Sequence, residues 1–324
     1  MRAIRFEQTG GPEVLRLVEI EAPTPGPRQV LIRHEAIGIN FIETYQRSGL
    51  YPMKLPSGLG SEAAGVVEAV GAEVTRFKVG DRVATAGSGL PGAYADYSVA
   101  LAERTVALPD SVDFRTAAAA LLKGMTTEFL LRRLHRVEAG ETILVHAAAG
   151  GVGQIMTQWA KALGAVVIAT VGSQEKAARA RELGADHVIL YREQDVAAEV
   201  RRITDGRGVP VAYDAVGKDT FEGTLKSLAR RGLFVSFGNA SGPPPPVEAR
   251  LLMVNGSLFF TRPTMGDYQA TTEELDASAA ALWEMIGSGK VKIEIGQTFP
   301  LAEARKAHEA LESRATIGAS LLIP

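Results

Sequence analysis

The stretch ILVHAAAGGVGQIMTQWAKALGA, residues 143–165, decides how this chain folds. Ile143, Leu144 and Val145 form a short apolar run, small residues and Gly150, Gly151 and Gly153 follow, and an amphipathic segment continues through Leu163. That is strand, tight turn and helix, the order a dinucleotide-binding βαβ unit requires. Glycines let the main chain turn sharply and approach a pyrophosphate, and the unbonded N–H groups at a helix start favour negative charge. The spacing is Ala147-x-x-Gly150-x-x-Gly153, so alanine stands where the fingerprint has its first glycine. A second apolar strand, Val166 to Val171, follows directly and supplies the context that a bare glycine triplet lacks.

Outward from that stretch, apolar runs near 142–146, 166–171, 187–190, 211–215 and 232–237 alternate with helical segments, and Gly256 to Thr261 makes a sixth strand. Near-continuous apolar strands between helices predict a parallel sheet covered on both faces, doubly wound with six strands. Upstream, residues 1 to about 115 lack that alternation. Short runs at Val30 to Arg33, Ala64 to Val70 and Asp81 to Thr85 lie between turn clusters such as PTPGP, which predicts a mostly antiparallel β domain. NFIETYQRSGLY, from Asn40 to Tyr51, reads as a short helix and loop. Thr116 to Leu134 is rich in helix formers, and Gly124 near its middle predicts two helices rather than one. Pro243 to Pro246 must be loop. Thr272 to Ser288 and Leu301 to Ser313 read as helices, and the closing ASLLIP as a strand returning to the first domain, which makes the dinucleotide domain an insertion.

Composition narrows the function. The chain has 324 residues, 46% of them hydrophobic, with a net charge of −2. No broad basic field points to nucleic acid, and no apolar run approaches the ~20 residues that span a bilayer. The opening MRAIRFEQTG has no apolar core to follow, so we expect no signal peptide and a cytoplasmic location. The absence of cysteine excludes disulfides, thiolate metal sites and thiol catalysis.

The coenzyme is legible too. NAD-binding units place an acidic residue at the end of the second strand, ~20 residues past the glycines. Here Val171-Gly172-Ser173-Gln174-Glu175-Lys176 has no carboxylate at the strand end, leaves room at Gly172 and Ser173, and offers Lys176 to a 2′-phosphate that Tyr191 covers. That pattern favours NADP over NAD.

The segments AIGINFIETYQRSGLYP, LGSEAAGVVEAVG, KGMTTEFLL, AAAGGVGQ, YDAVGKDTFEGTLKSLARRGLFVSFGNASG and ESRATIGASLLIP resemble the zinc-free, zeta-crystallin type of NADPH:quinone oxidoreductase in the medium-chain dehydrogenase/reductase superfamily. The resemblance runs from one end of the chain to the other. It implies an α/β protein in which a GroES-like, mostly antiparallel catalytic domain (1–118 and 263–324) carries an inserted Rossmann domain (119–262), a doubly wound parallel sheet. It also implies NADPH, a quinone or enone substrate, and a homodimer joined through the Rossmann domain. By position, Asn40 and Tyr45 would line the nicotinamide pocket and act in catalysis, with Thr126 near the carboxamide. Gly150, Gly151 and Val152 would meet the pyrophosphate, and Ser173, Lys176 and Tyr191 the 2′-phosphate. Phe237, Gly238, Asn239, Phe260 and Arg262 would flank the coenzyme, and Arg314 would reach it from the C-terminal part.

Zinc alcohol dehydrogenases of the superfamily carry a ligand histidine in Gly-His-Glu, where this chain has Gly60-Ser61-Glu62, and its five histidines lack metal-ligand spacing. Neither catalytic nor structural zinc is expected. Without a metal to polarise a carbonyl, the chain suits acceptors already activated by conjugation, with oxyanion charge met by the Asn40 amide or the Tyr45 hydroxyl. Plainer roles compete: Asn40 as a helix cap, Tyr45 and Tyr51 as pocket walls, His146 as a packing residue, Glu43 and Glu62 as structural partners. No Tyr-x-x-x-Lys pair occurs, which argues against a short-chain reductase. Two further readings stay open: an NADPH-dependent enone or alkenal reductase, and, from another class, a nucleotide-responsive RNA-binding or crystallin-like structural protein, against which the near-neutral charge speaks.

Overall fold

The computed structural model describes residues 1–87, 92–314 and 316–324, so within the quoted C-terminal segment Ala315 lies outside the described residues. The chain divides into two compact units: Met1–Met125, Tyr268–Gly289 and Ile293–Pro324 form the first, Thr126–Asp267 and Lys290–Lys292 the second.

The first unit opens with β1 (Arg2–Phe6), β2 (Arg16–Glu19), β3 (Gln29–Ile39), α1 (Phe41–Ser48), β4 (Ser57–Gly58), β5 (Glu62–Val70), β6 (Arg82–Ala86), β7 (Tyr97–Leu101) and β8 (Thr105–Ala107). α2 (Phe114–Phe129) follows and runs on through a π turn, Leu130–Leu134. This corrects the expectation of two helices. Gly124 lies inside α2 because its bare face receives Leu282, whose Cδ1 would stand 2.3 Å from a Cβ at that position. Packing, not propensity, placed the glycine there.

The second unit holds β9 (Thr142–His146), α3 (Gly151–Ala162), β10 (Val166–Val171), α4 (Gln174–Glu182), β11 (His187–Leu190), α5 (Val196–Ile203), β12 (Val209–Asp214), α6 (Phe221–Ser227), β13 (Leu228–Ser236), α7 (Ala249–Val254) and β14 (Phe259–Thr261). Its six strands pair in parallel in the order β11-β10-β9-β12-β13-β14. This is the doubly wound arrangement, and the strand order reverses between β9 and β12, where such sheets open a crevice at their carboxyl ends. Ile143, Leu144 and Val145 are fully buried, as a central parallel strand requires. Phe221, Phe234 and Phe260 stack edge-on and tilted within the core on one face of the sheet.

The chain then supplies the first unit with α8 (Thr272–Gly287), β15 (Ile295–Pro300), α9 (Ala304–Glu312) and β16 (Ala319–Ile323). β16 pairs antiparallel with β3, Leu321 opposite Gly38, so the terminal strand does return to the first sheet. That sheet has seven strands, β15-β16-β3-β5-β6-β8 with β7 also on β3, beside a three-stranded sheet β2-β1-β4. Ile32, Ile37, Val67, Val83 and Leu322 fill its core. The observed pairs are antiparallel apart from β15 with β16, in keeping with the mostly antiparallel GroES-like domain.

Candidate functional site

In the second unit the β9–α3 turn is built for close approach. Ala147 adopts a left-handed backbone, φ 52°, at a cost of roughly 1 kcal/mol for an L-residue. A Cβ on Gly153 would sit 2.2 Å from the Ala147 carbonyl oxygen, so only glycine lets α3 start this near β9. Gly150 stands at the N-cap, and no side chain caps the helix. The N–H groups at Gly151 and Val152 therefore present the positive end of a twelve-residue helix at the carboxyl edge of the sheet. These features fit a pyrophosphate.

At the end of β10, Ser173 caps α4, its Oγ accepting the Lys176 main-chain N–H at 3.3 Å. Tyr191 follows β11, and its hydroxyl lies over Gly172, 2.8 Å from where a Cβ would be. Arg192 packs its guanidinium 5.9 Å from the Tyr191 ring centre. Burial and, after it, the charge of Arg192 pull the Lys176 ammonium below its ordinary pKa. Two neighbouring cations, one of them partly desolvated, fit a doubly charged phosphate. Arg192 was not among the candidates read from the sequence, although it directly follows Tyr191.

Further along the edge, the Arg262 Nη1 donates to the Gly238 carbonyl at 3.0 Å and reaches the Ser236 hydroxyl at 3.4 Å. The Asn239 amide, turned so that its nitrogen donates to Gly238 O at 2.9 Å, accepts from Arg262 Nη2 at 3.2 Å. Phe237, Gly238 and Asn239 thus form a fixed shelf after β13. Phe260 turns into the core beside Phe234, ring centres 5.1 Å apart, while Phe259 is exposed. Thr126 contacts Met265, Oγ1 to Sδ 3.9 Å. His146 is buried and bonds Thr170 at 2.8 Å and Thr224 at 2.9 Å, the packing role expected of it.

Asn40 and Tyr45 belong to the first unit, on α1. Asn40 is the N-cap residue, and Glu43 Oε2 accepts its main-chain N–H at 2.6 Å. The two form a capping box at the start of α1, and the Asn40 side chain also reaches outside the helix, Nδ2 donating to Glu62 Oε2 at 2.9 Å. Glu62 also accepts from Lys123 Nζ at 2.9 Å and from the Leu122 main-chain N–H at 2.7 Å. Glu43 accepts from the Ser61 main-chain N–H at 3.0 Å and from the Ser61 hydroxyl. Burial pushes the Glu43 carboxyl up to about 7, against the opposing pull of those hydrogen bonds and of Lys123. Tyr45 is buried between Phe41 and Tyr51, at ring-centre distances of 6.2 and 5.3 Å.

α1 is pinned from its far end. Arg47, buried, donates to the Gly10 carbonyl at 3.1 Å, to Glu312 Oε1 at 2.6 Å and to His308 Nδ1 at 2.9 Å. Since arginine only donates, His308 Nδ1 accepts, and Nε2–H points to the Tyr94 hydroxyl at 3.1 Å. Arg314, also in the first unit, follows α9 in a left-handed conformation, φ 56°.

The donor set does not suit zinc. Ser61 and Glu62 are committed to Glu43 and Lys123, and among the described residues no group of three His, Asp or Glu side chains could hold a metal ion.

Comparison with known proteins agrees with this geometry. Residues 151–280 match the zinc-binding dehydrogenase family, and residues 26–110 the alcohol dehydrogenase GroES-like domain. The chain is 55% identical to a quinone oxidoreductase of Pseudomonas aeruginosa, over 100% of this chain and 99% of that protein. It is 44% identical to a 2-haloacrylate reductase from a Burkholderia species, over 98% of each. Its fold superposes on the crystal structure of Escherichia coli quinone oxidoreductase complexed with NADPH with a TM-score of 0.98, at 49% identity and full coverage of both chains.

Proposed function

This chain belongs to the zeta-crystallin-type quinone oxidoreductases of the medium-chain dehydrogenase/reductase superfamily, and from that premise we propose that it reduces quinones with NADPH. The observation that carries the coenzyme is the pairing of Lys176 with Arg192 beside Ser173 and Tyr191, with no carboxylate at the end of β10. When bound, NADPH supplies the hydride. We assign Gly150, Gly151 and Val152 to its pyrophosphate through the uncapped start of α3, and Phe237 to Asn239, held by Arg262, to its flank. Thr126, Arg314 and the main chain at Phe260, whose ring packs in the core, complete our assignment. Asn40 and Tyr45 are our candidates for groups that hydrogen-bond the acceptor oxygen as charge develops on it. We take 1–118 and 263–324 as the catalytic domain and 119–262 as the coenzyme domain.

Likeness to a 2-haloacrylate reductase favours a second reading, reduction of a conjugated C=C bond in the same pocket. Steady-state rates with NADPH and 1,4-benzoquinone, 9,10-phenanthrenequinone and an alkenal separate the two. We expect the quinones to turn over fastest; failure with every quinone overturns the first reading.

We also propose a homodimer formed along β14. That strand ends the parallel sheet, and Met253, Val254 and Phe259 beside it are each more than 60% exposed. Light scattering should give twice the chain mass, and Phe259→Lys should halve it. Among the described residues no helix is long and apolar enough to cross a membrane. We place the enzyme in the cytoplasm, in keeping with its lack of cysteine.

A further inference from the structure

Glu62 is fully buried, and each of its three partners can only donate: the Leu122 main-chain N–H, the Lys123 ammonium and the Asn40 amide nitrogen. The contact is designed into the backbone. A Cβ on Gly38 would fall 2.2 Å from Glu62 Oε2 and 2.4 Å from the Ala118 carbonyl, so the carboxylate reaches Asn40 only because position 38 has no side chain. Glu43, on the other side of Asn40, is different in kind. One of its three partners is the Ser61 hydroxyl, which can reverse and accept, so Glu43 can hold a proton without releasing the Asn40 main-chain N–H.

We propose that Glu62 and Lys123 are positioning residues whose ion pair fixes which way the Asn40 amide faces. While Glu62 is a carboxylate, Nδ2 is held against it, and the second amide hydrogen and the carbonyl oxygen are set in one orientation. A proton on Glu62 would present a donor to Asn40 and turn the amide over, exchanging its hydrogen-bonding ends. Lys123 prevents this by keeping a cation at 2.9 Å from the buried oxygen. The inference rests on the reading of Asn40 as a group that meets the acceptor.

The groups that face Glu62 are Lys123 on α2, Glu43 on α1 and the Tyr94 hydroxyl, whose ionisation burial and then both carboxylates oppose. Among these Lys123 alone is a cation. Taking it away leaves a desolvated carboxylate with an acidic neighbour, which favours protonation. The test is the pH dependence of kcat for quinone reduction at saturating NADPH, from about pH 5.5 to about pH 9. Relative to wild type, Lys123→Met should keep its activity at the alkaline end and lose about ten- to hundredfold at the acid end, the scale of one misplaced charge-assisted hydrogen bond. Lys123→Arg should restore the wild-type profile. A merely structural lysine would instead lower the rate evenly at every pH.

Asn40→Ala is measured in parallel. If it leaves kcat unchanged, the reading of Asn40 fails and the inference falls with it. If it is costly while the Lys123→Met profile runs parallel to wild type, the inference alone is overturned. Should Lys123→Met not fold, a cycle of Asn40→Ala with Glu62→Gln gives the answer: the double variant should be no slower than the slower single one, and additive losses refute the coupling.

Discussion

Removing Lys176 tests the coenzyme assignment most directly. A unit charge about 4 Å from a phosphate charge is worth about 4 kcal/mol at an effective dielectric of about 20. Lys176 is only partly buried, so solvent screening lowers this toward the roughly 1.5–3 kcal/mol of a charge-assisted hydrogen bond. Lys176→Ala should then raise the NADPH Kd about 10- to 150-fold. NADH has no 2′-phosphate, and its Kd should move by less than about threefold. The assay is titration of coenzyme fluorescence for both nucleotides, repeated at low and high salt, since the NADPH term alone should weaken with ionic strength. Arg192→Ala should shift the same ratio in the same direction. The pH dependence has a definite sign. Burial and Arg192 hold the free Lys176 below its ordinary pKa, and a bound phosphate pulls it back up. NADPH binding therefore takes up protons in the alkaline range and weakens as pH rises through the free-state value, while NADH binding stays level. Parallel loss of both nucleotides in Lys176→Ala would refute the reasoning, because it would mean that the lysine supports the fold of the loop and not the phosphate.

Three further outcomes follow from the buried groups. Glu43 is raised from 4.5 to about 7, so the stability it contributes is full below about pH 4.5 and declines by about 3 kcal/mol as pH rises through 7. Denaturant midpoints across that window should show this decline in wild type and not in Glu43→Gln. His308 is lowered to about 3 by burial and then by Arg47, so its term runs the other way, with stability lost as pH falls below about 6.5. His308→Gln should flatten the acid limb of the same curve. Gly124→Ala forces a methyl against Leu282 and should cost about 1–3 kcal/mol despite the better helix former, read as a lower Tm. Adding Leu282→Ala should make the Gly124→Ala cost smaller than in wild type, and an unchanged cost would refute the contact.

Local chemistry determined much of this protein. The apolar runs, the glycine turn after β9 and the missing acid after β10 pointed to a parallel sheet, a helix start suited to phosphate and a phosphorylated coenzyme, because each is set by residues close together in the chain. β9, β10 and β11 lie where periodicity put them. Tertiary structure decided what depends on distant partners. Gly124 reads as a helix break until Leu282, far along the chain, is seen to fill its bare face. Glu62 reads in the sequence as a structural partner with no partner named, and Lys123, Arg47 and His308 carry no signal there; folding buries Lys123 against Glu62 and Arg47 against His308. A sequence displays the charge of a side chain and the period of its neighbours. Burial and hydrogen-bond direction belong to the assembled fold, and they hold the Asn40 side-chain amide against Glu62 as well as at the start of α1.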